Sequence, residues 1–197
     1  MKRIAVVACL VFTVFAAPAW AQGTVAVLMP GAGGAVPTDF LMRNRSHIEG
    51  SGIPTVVAVQ PGEAAAAVKA QKAKGHKVVL VGMSRGASFA ATAIKSGARP
   101  DALVLVSGNY GLVRSTLGSA ALLPPTLVVH HRNDACAKTR PGGVGGFVQW
   151  SGGKASVRWI ANDGKAPPNE CGPRGAHGFY MKDGAAVGAI VSFIRAR

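Results

Sequence analysis

Short runs of Val, Leu, Ile and other apolar residues recur along the chain, and each is followed by a glycine-containing turn and an alanine-rich or amphipathic stretch. Six of these runs predict strands, at residues 24–29, 54–59, 77–82, 102–107, 126–131 and 156–160. Their apolar positions are continuous instead of alternating with polar ones. Continuous runs of this kind are typical of strands that are buried on both faces of a parallel sheet.

Helices are predicted between the strands and at the end of the chain, over residues 39–49, 62–74, 84–95 and 183–197. Alternation of strands and helices with short links predicts an α/β fold, with helices on both faces of about six mostly parallel strands. The glycine-rich segment 141–153 is predicted as a loop with one helical turn. No linker or repeat divides residues 22–197, so we expect one domain.

The first 21 residues have the pattern of a secretory signal peptide. Lys2 and Arg3 precede an apolar run from Ile4 to Ala17, and Ala19 to Ala21 supply a small-x-small cleavage site. A membrane anchor is the alternative, but a span needs about 20 apolar residues, and Pro18 interrupts this run. We expect export to the periplasm or the medium, with no membrane span in the mature chain.

The composition excludes several classes of protein, but it does not identify a binding partner. Hydrophobic residues make up 49% of the chain and charged residues 15%, which excludes a disordered protein, a collagen and a coiled coil. Lys and Arg number 22 against 8 acidic residues, giving a formal net charge of +14. Such a charge attracts anionic surfaces, but charge alone identifies no partner. We expect a monomer with no specific nucleic-acid binding.

Three cysteines bear on the redox compartment and on metal binding. Cys9 lies in the predicted signal peptide, so Cys136 and Cys171 are the pair available to close one disulfide in an exported protein. The competing hypothesis is a metal site, for which the clustered candidates are His130, His131, Asp134 and Cys136. Their spacing matches no standard zinc pattern. We therefore expect neither a metal nor another cofactor.

The sharpest chemical signal is the sequence Gly82-Met83-Ser84-Arg85-Gly86, which lies between a predicted strand and a predicted helix. A nucleophile on so sharp a turn needs very small neighbours two residues away on either side. The turn lifts the Ser84 hydroxyl out of the backbone at a helix N-terminus, where the helix dipole and free amides favour developing negative charge. Ser84 is the predicted nucleophile, and a glycine-rich turn with an incidental serine is the alternative.

A serine nucleophile needs a general base, and the chain has five histidines. His47 lies in the first predicted helix, and His76 precedes a strand at the wrong edge of the sheet. His130 and His131 end a strand at the carboxyl edge of the sheet, where the predicted nucleophile also lies. However, they precede the best candidate acid, and sheets with this motif use the order serine, acid, histidine. His177 lies in a loop between the last strand and the terminal helix, and it is the predicted base.

The base in turn needs an acid to orient it. Asp134 directly follows the strand at 126–131, at the carboxyl edge where such sheets collect their active sites. Asp163 follows the next strand and is the runner-up, while Asp101 begins a strand and so lies at the far edge. Asp134 is preferred because the order strand, acid, strand, histidine then needs no adjustment.

Acyl transfer also needs backbone amides that point at the developing oxyanion. One is the amide of Arg85, directly after the nucleophile. The other is expected from the loop that follows the first strand, at residues 30–34. We choose the amide of Ala32, with Gly33 as the alternative, and a plain flexible turn is the other interpretation of this loop.

The oxyanion loop comes first in the chain, and the turn from Gly82 to Gly86, called the nucleophile elbow, comes next. The acid Asp134 and then His177 follow it. With these features in this order, the mature chain resembles the α/β-hydrolase superfamily. It lacks the first two strands of the usual sheet and any insertion long enough for a cap domain, as in minimal lidless lipases and esterases. The resemblance implies a Ser-His-Asp serine hydrolase that forms an acyl-enzyme and takes a small-molecule or lipid-like acyl substrate. Two alternatives stay open: an acyltransferase, and a non-catalytic binding protein that recognises an anionic envelope component.

Small exported members of this family also carry a cysteine just after the acid, as Cys136 follows Asp134 here. A bridge between Cys136 and Cys171 would tie the acid loop to the loop of His177. Closing a loop of this size contributes about 3 to 4 kcal/mol in the chain-entropy model. Two unpaired buried thiols are the alternative.

Arg43 and Arg45 lie in the predicted helix that follows the oxyanion loop. They could recognise an anionic group of the substrate, but a solvated helix face is the favoured interpretation. Trp150 and Trp159 are expected to pack at the core or its rim instead of forming a carbohydrate platform.

Overall fold

One sheet of six strands organises the chain. The computed structural model describes residues 23–161 and 170–197, so the predicted signal peptide and the alternative acid Asp163 lie outside the described residues. The strands are β1 (Thr24–Met29), β2 (Thr55–Val57), β3 (Lys77–Met83), β4 (Ala102–Val106), β5 (Thr126–His131) and β6 (Ala155–Ile160). All neighbouring pairs are parallel, in the spatial order β2-β1-β3-β4-β5-β6. The predicted parallel α/β sheet is confirmed.

Seven α-helices connect or follow the strands in the described residues: α1 (Phe40–Arg43), α2 (Arg45–Gly50), α3 (Pro61–Ala73), α4 (Arg85–Lys95), α5 (Tyr110–Leu117), α6 (Gly143–Trp150) and α7 (Asp183–Arg195). Two short 3-10 helices lie at Ala120–Leu122 and Ala176–Gly178. The single helix predicted over 39–49 is two helices that meet at Asn44, whose side-chain amide donates to the carbonyl oxygen of Phe40 at 2.8 Å. That bond competes with regular helical hydrogen bonding.

The glycine-rich segment 141–153 differs from its prediction. It contains α6, an eight-residue helix, where a loop with one helical turn was expected. Gly has a low helix propensity, but Val144 and Phe147 are buried against the core. Packing of this apolar stripe outweighs the local preference, as tertiary contacts commonly do for short helices.

The helices form a layer on each face of the sheet, as expected. Alternate strand residues point to opposite faces, so Val27 and Met29 pack in one apolar cluster and Ala26 and Leu28 in the other. The first cluster includes side chains from α3, α4, α5 and α6, and the second includes side chains from α1, α2 and α7. β4 is buried along its whole length. The described residues contain no further helix that could form a cap domain.

Candidate active site

The motif around Ser84 has the predicted strand-turn-helix geometry. Ser84 lies between β3 and α4 with φ 53° and ψ −113°, a conformation that non-glycine residues rarely adopt. A Cβ at Gly82 would overlap the backbone of Gly86 and Ala87, and a Cβ at Gly86 would collide with the Met29 carbonyl oxygen. The two glycines therefore permit the close packing that presents the Ser84 hydroxyl at the carboxyl edge of the sheet.

Three side chains predicted from the sequence form one line of contacts at this edge. The Nε2 atom of His177 lies 3.0 Å from Ser84 Oγ, and its Nδ1 atom lies 3.0 Å from Asp134 Oδ2. Ser84 is half-buried, while His177 and Asp134 are 4% and 3% exposed. A histidine held between a carboxylate and a hydroxyl in this way can accept the hydroxyl proton through Nε2 while Nδ1–H donates to the carboxylate.

Asp134 is held as a carboxylate. Burial by itself would raise the pKa of Asp134, but the neighbouring His130 and His177 side chains and the Cys136 amide outweigh it and place the pKa well below its usual range. The Cys136 N–H donates to Oδ1 at 2.9 Å, and Thr139 Oγ1 donates to Oδ2 at 3.1 Å. The acid is therefore both ionised at neutral pH and fixed in direction.

Thr139 contributes to the site although sequence reasoning did not find it. Its hydroxyl oxygen lies 3.0 Å from His177 Nδ1 as well as 3.1 Å from Asp134 Oδ2, and the side chain is buried. The residue lies in the loop after β5, in a stretch without a recognisable motif. One hydroxyl thus contacts both Asp134 and His177 and restricts their relative orientation.

The backbone of His177 is held from the neighbouring strand β4. Ser107, the residue after β4, donates from its Oγ to the His177 carbonyl oxygen at 2.8 Å. Ser107 is fully buried and has φ 43°, a second strained serine at the edge of the sheet. This bond links the histidine loop to a rigid part of the fold.

Arg43 holds the same loop from the other side, which corrects its prediction as part of a solvated face. Its guanidinium donates to the carbonyl oxygens of Gly178 and Pro173 and pairs with Asp183 at 2.8 Å. Arg43 is therefore a structural contact between α1 and the loop that carries His177. Arg45 matches its prediction, because its side chain is exposed on α2.

The expected oxyanion loop lines a cavity next to Ser84. The cavity has a volume of about 220 Å³, and Ala32, Gly33, Ser84 and His177 are among the residues that line it. The Gly31 amide donates to Asp39 Oδ2 at 2.9 Å and is already occupied. Arg85 is the first residue of α4, so its N–H has no acceptor within the helix. The Ala32 and Arg85 amides remain the predicted oxyanion donors.

Asp39 holds the expected oxyanion loop, residues 30–34, through a hydrogen bond from the Gly31 amide. Besides Gly31, it accepts hydrogen bonds from the amides of Leu41 and Met42 and so caps the N-terminus of α1. Burial raises the pKa of Asp39 above its usual value, because it outweighs these amide bonds and the nearby Arg43. The carboxyl group is used in holding the loop to the helix.

The predicted disulfide between Cys136 and Cys171 is present, with the two Cα atoms 4.6 Å apart and a sequence separation of 35. Both cysteines line the cavity beside Ser84. Bonding to Cys171 removes Cys136 as a thiolate ligand for the alternative metal site. Within residues 23–161 and 170–197, no group of three or more His, Cys, Asp or Glu side chains is arranged to hold a metal ion.

The two tryptophans considered from the sequence take part in packing. Trp150 and Trp159 are partly buried against the core, and the ring of Trp150 is tilted against that of Phe147 at a ring-centre distance of 5.6 Å. Trp159 has its ring centre 6.1 Å from that of His130. Packing at the rim of the core is therefore the observed arrangement.

Comparison with known proteins identifies the fold. No protein-family model and no curated protein matches the chain. Among solved structures, it is similar to an esterase from Exiguobacterium antarcticum, with a TM-score of 0.57 at 10% identity over 88% of this chain and 92% of that one. An α/β-hydrolase enzyme from a sediment metagenome of the Mar Chica lagoon, Morocco, matches with a TM-score of 0.59 at 16% identity over 89% and 92%. The chain has the α/β-hydrolase fold.

A mutant of a meta-cleavage product hydrolase matches equally well, with a TM-score of 0.60 at 12% identity over 89% of this chain and 92% of that one. Identities this low establish the α/β-hydrolase fold and do not assign roles to residues. In the structure of this chain, Ser84 follows β3 and Asp134 follows β5, and both lie at the same edge of the sheet.

Proposed function

We propose that the protein is an exported serine hydrolase that cleaves a carboxylic ester or a related acyl compound. Ser84 is the nucleophile, His177 the general base and Asp134 the acid that orients it. The observation that carries the proposal is the pair of 3.0 Å contacts that join Asp134, His177 and Ser84 in one line, ending at a serine on a strained turn between strand and helix.

In the first half of the reaction, His177 Nε2 takes the Ser84 proton while Ser84 Oγ attacks the acyl carbonyl carbon. The resulting tetrahedral oxyanion accepts hydrogen bonds from the Ala32 and Arg85 amides. The bond to the leaving alcohol then breaks, and the imidazolium of His177 returns the proton to the alcohol oxygen. The products of this half are the free alcohol and an acyl group esterified to Ser84.

In the second half, water replaces the alcohol. His177 takes a proton from the water as its oxygen attacks the acyl carbon, and the proton then passes to Ser84 Oγ as the acyl-enzyme bond breaks. A carboxylic acid leaves and the enzyme is restored. Asp134 remains a carboxylate throughout and stabilises the imidazolium in both halves.

The cavity favours a compact acyl substrate. Its lining beside Ser84 includes the apolar side chains of Val36, Phe40 and Met83, together with the disulfide. Burial of an acyl chain against these groups provides binding energy in proportion to the apolar area that is covered. With a volume of about 220 Å³, the cavity suits short acyl groups better than long ones.

Export of the mature chain is part of the proposal, with residues 1–21 as the signal peptide and residues 22–197 as one domain. The disulfide supports this location, since such bonds persist in oxidising compartments. No helix in the described part of the chain has the length and apolar character to cross a membrane.

A fluorophosphonate probe tests the proposal directly. The mature protein should incorporate one probe molecule, and peptide mapping should place it on Ser84 and find Gln22 as the first residue. In the same preparation, acetyl and butyryl esters should be hydrolysed faster than a palmitoyl ester. A protein that neither reacts with the probe nor hydrolyses any ester would contradict the proposal and favour the binding-protein alternative. Transfer of the acyl group to an added alcohol in preference to water would identify an acyltransferase.

Reduction of the disulfide should lower activity before the sheet unfolds. The bond joins the loop of Asp134 to the loop that precedes His177, and a displacement of about 1 Å in a catalytic group can cost about 10²-fold in rate. We expect reduced protein, and the Cys136→Ser/Cys171→Ser double variant, to lose most of their ester hydrolysis at temperatures where circular dichroism still reports the fold.

Thiol titration supplies the control for this prediction. The unfolded, unreduced mature protein should show no free thiol, and two free thiols would refute the bond in solution. Full activity in a protein whose disulfide has been reduced, as verified by the same titration, would show that the bond has no role in the site.

A further inference from the structure

A second histidine contacts the same carboxylate oxygen as His177. His130 lies near the end of β5 and is fully buried, and its Nε2 atom is 3.3 Å from Asp134 Oδ2. The geometry falls short of a complete hydrogen bond, and Nε2 has no hydrogen-bond partner among the described residues. A buried ring nitrogen without a partner is costly, so its position next to the proposed acid requires an explanation.

The other ring nitrogen of His130, Nδ1, has a short hydrogen bond. Tyr110 Oη lies 2.6 Å from His130 Nδ1, and Tyr110 is buried at the start of α5. The Gly108 N–H donates to the same phenol oxygen at 3.4 Å. Burial raises the pKa of Tyr110 far above its usual value, so the phenol keeps its proton. With its oxygen already accepting from Gly108, the hydroxyl is free to donate to His130 Nδ1.

Donation from Tyr110 would fix the tautomer of His130. A neutral imidazole has one N–H and one acceptor nitrogen, and Nδ1 is the acceptor when Tyr110 donates to it. The proton then lies on Nε2, where it faces the Asp134 carboxylate at 3.3 Å. A neutral donor at this point favours the ionised acid without adding a buried positive charge beside His177.

We propose that Tyr110 and His130 form a positioning arm for Asp134, an inference that rests on the proposed hydrolase function. His130 belongs to a strand that is paired on both sides, whereas Asp134 lies on the loop after it. The arm therefore transfers the rigidity of β5 to the carboxylate. The Oδ2 atom is faced by His177, His130 and Thr139, so it cannot turn away from His177 without also leaving the His130 N–H.

Kinetics of four single variants test the arm. Tyr110→Phe removes only the hydroxyl, His130→Leu removes both ring nitrogens, and His130→Gln retains an N–H donor near the position of Nε2. We expect kcat to fall about tenfold for Tyr110→Phe and for His130→Leu, equivalent to about 1.4 kcal/mol, with KM unchanged because neither residue lines the substrate cavity. His130→Gln should recover part of the loss. Tyr180→Phe, at an exposed tyrosine, is the matched control and should retain wild-type kcat.

A double-mutant cycle separates an arm from two independent packing effects. If Tyr110 acts through His130, adding Tyr110→Phe to His130→Leu should cause no further loss of kcat. Losses that multiply, or a folded His130→Leu protein with wild-type kcat, would overturn the proposal. The Tyr110→Phe protein preserves the shape of the core, so it gives an answer even if His130→Leu does not fold.

The tautomer can be read without any activity measurement. Imidazole ¹⁵N chemical shifts of the wild-type protein should show His130 protonated at Nε2. A wild-type His130 protonated at Nδ1 would refute the arm whatever the activity. A wild-type protein with the expected tautomer but no esterase activity would refute the hydrolase function, and with it the role of the arm in turnover, while leaving the hydrogen-bond order established.

Discussion

Replacing Ser84 with alanine should lower the turnover of acyl esters on the order of 10⁶-fold, as loss of the nucleophile does in a comparable serine hydrolase. The change removes the hydroxyl that lies 3.0 Å from His177 Nε2 and leaves no other group on the turn to attack the acyl carbon. Alanine can be accommodated in the space that serine occupies, so the elbow and the sheet should be retained. The measurements are kcat on butyryl esters and the stoichiometry of fluorophosphonate labelling.

Ser115→Ala is the matched control for this experiment. Ser115 is an exposed serine on α5 whose hydroxyl donates to the Leu112 carbonyl oxygen, away from the cavity. It should label and turn over as the wild type does. Full labelling of the Ser84→Ala protein would show that another residue is the nucleophile, and the proposed mechanism would fail.

The strands were predictable from the sequence because burial on both faces leaves a continuous apolar run. β5 covers residues 126–131, as predicted, and it is buried along its whole length. β2 is shorter than its prediction, with three residues instead of six. It is one of the two edge strands of the sheet and pairs only with β1, over the three residues Thr55 to Val57.

The short helices α5 and α6 were less predictable than α3 and α4, because packing against the core decides whether they form. α5 was not predicted, although Asn109 caps it and Tyr110, Val113 and Leu117 form its buried face. Its eight residues are too few to form a stable helix alone. Their helical conformation depends on the contact with the core, which a short sequence pattern does not report.

The candidate site also contains residues whose position could be predicted from the sequence and residues whose position could not. That Ser84 and Asp134 lie at one edge of the sheet could be predicted, because each directly follows a parallel strand. Thr139 and Ser107 reach His177 across 38 and 70 residues of sequence, and Arg43 reaches Gly178 across 135. Such supporting contacts carry no local signature, because they depend on how distant loops meet once the sheet has formed.

Replacing Asp134 with asparagine should preserve the fold and lower kcat on the order of 10⁴-fold if the serine-protease case transfers. The carboxylate receives donors on both oxygens: the Cys136 N–H on Oδ1, and Thr139 and His177 on Oδ2. An amide has only one oxygen, so its NH₂ group must face a donor in either orientation. If it faces His177, Nδ1 has to become an acceptor, and Nε2 then carries the proton and cannot take one from Ser84.

The competing acid provides the control for Asp134→Asn. Asp163→Asn tests the alternative that the sequence left open, and it should change kcat only slightly, because the Asp134 carboxylate already contacts His177 at 3.0 Å. KM should be similar in both variants and in the wild type, since orientation of the imidazole affects the transition state more than substrate binding. A large loss for Asp163→Asn with a mild effect of Asp134→Asn would transfer the role of the acid to Asp163. In that case the 3.0 Å contact between Asp134 and His177 would be a structural one, and the further role given to His130 would fail with it.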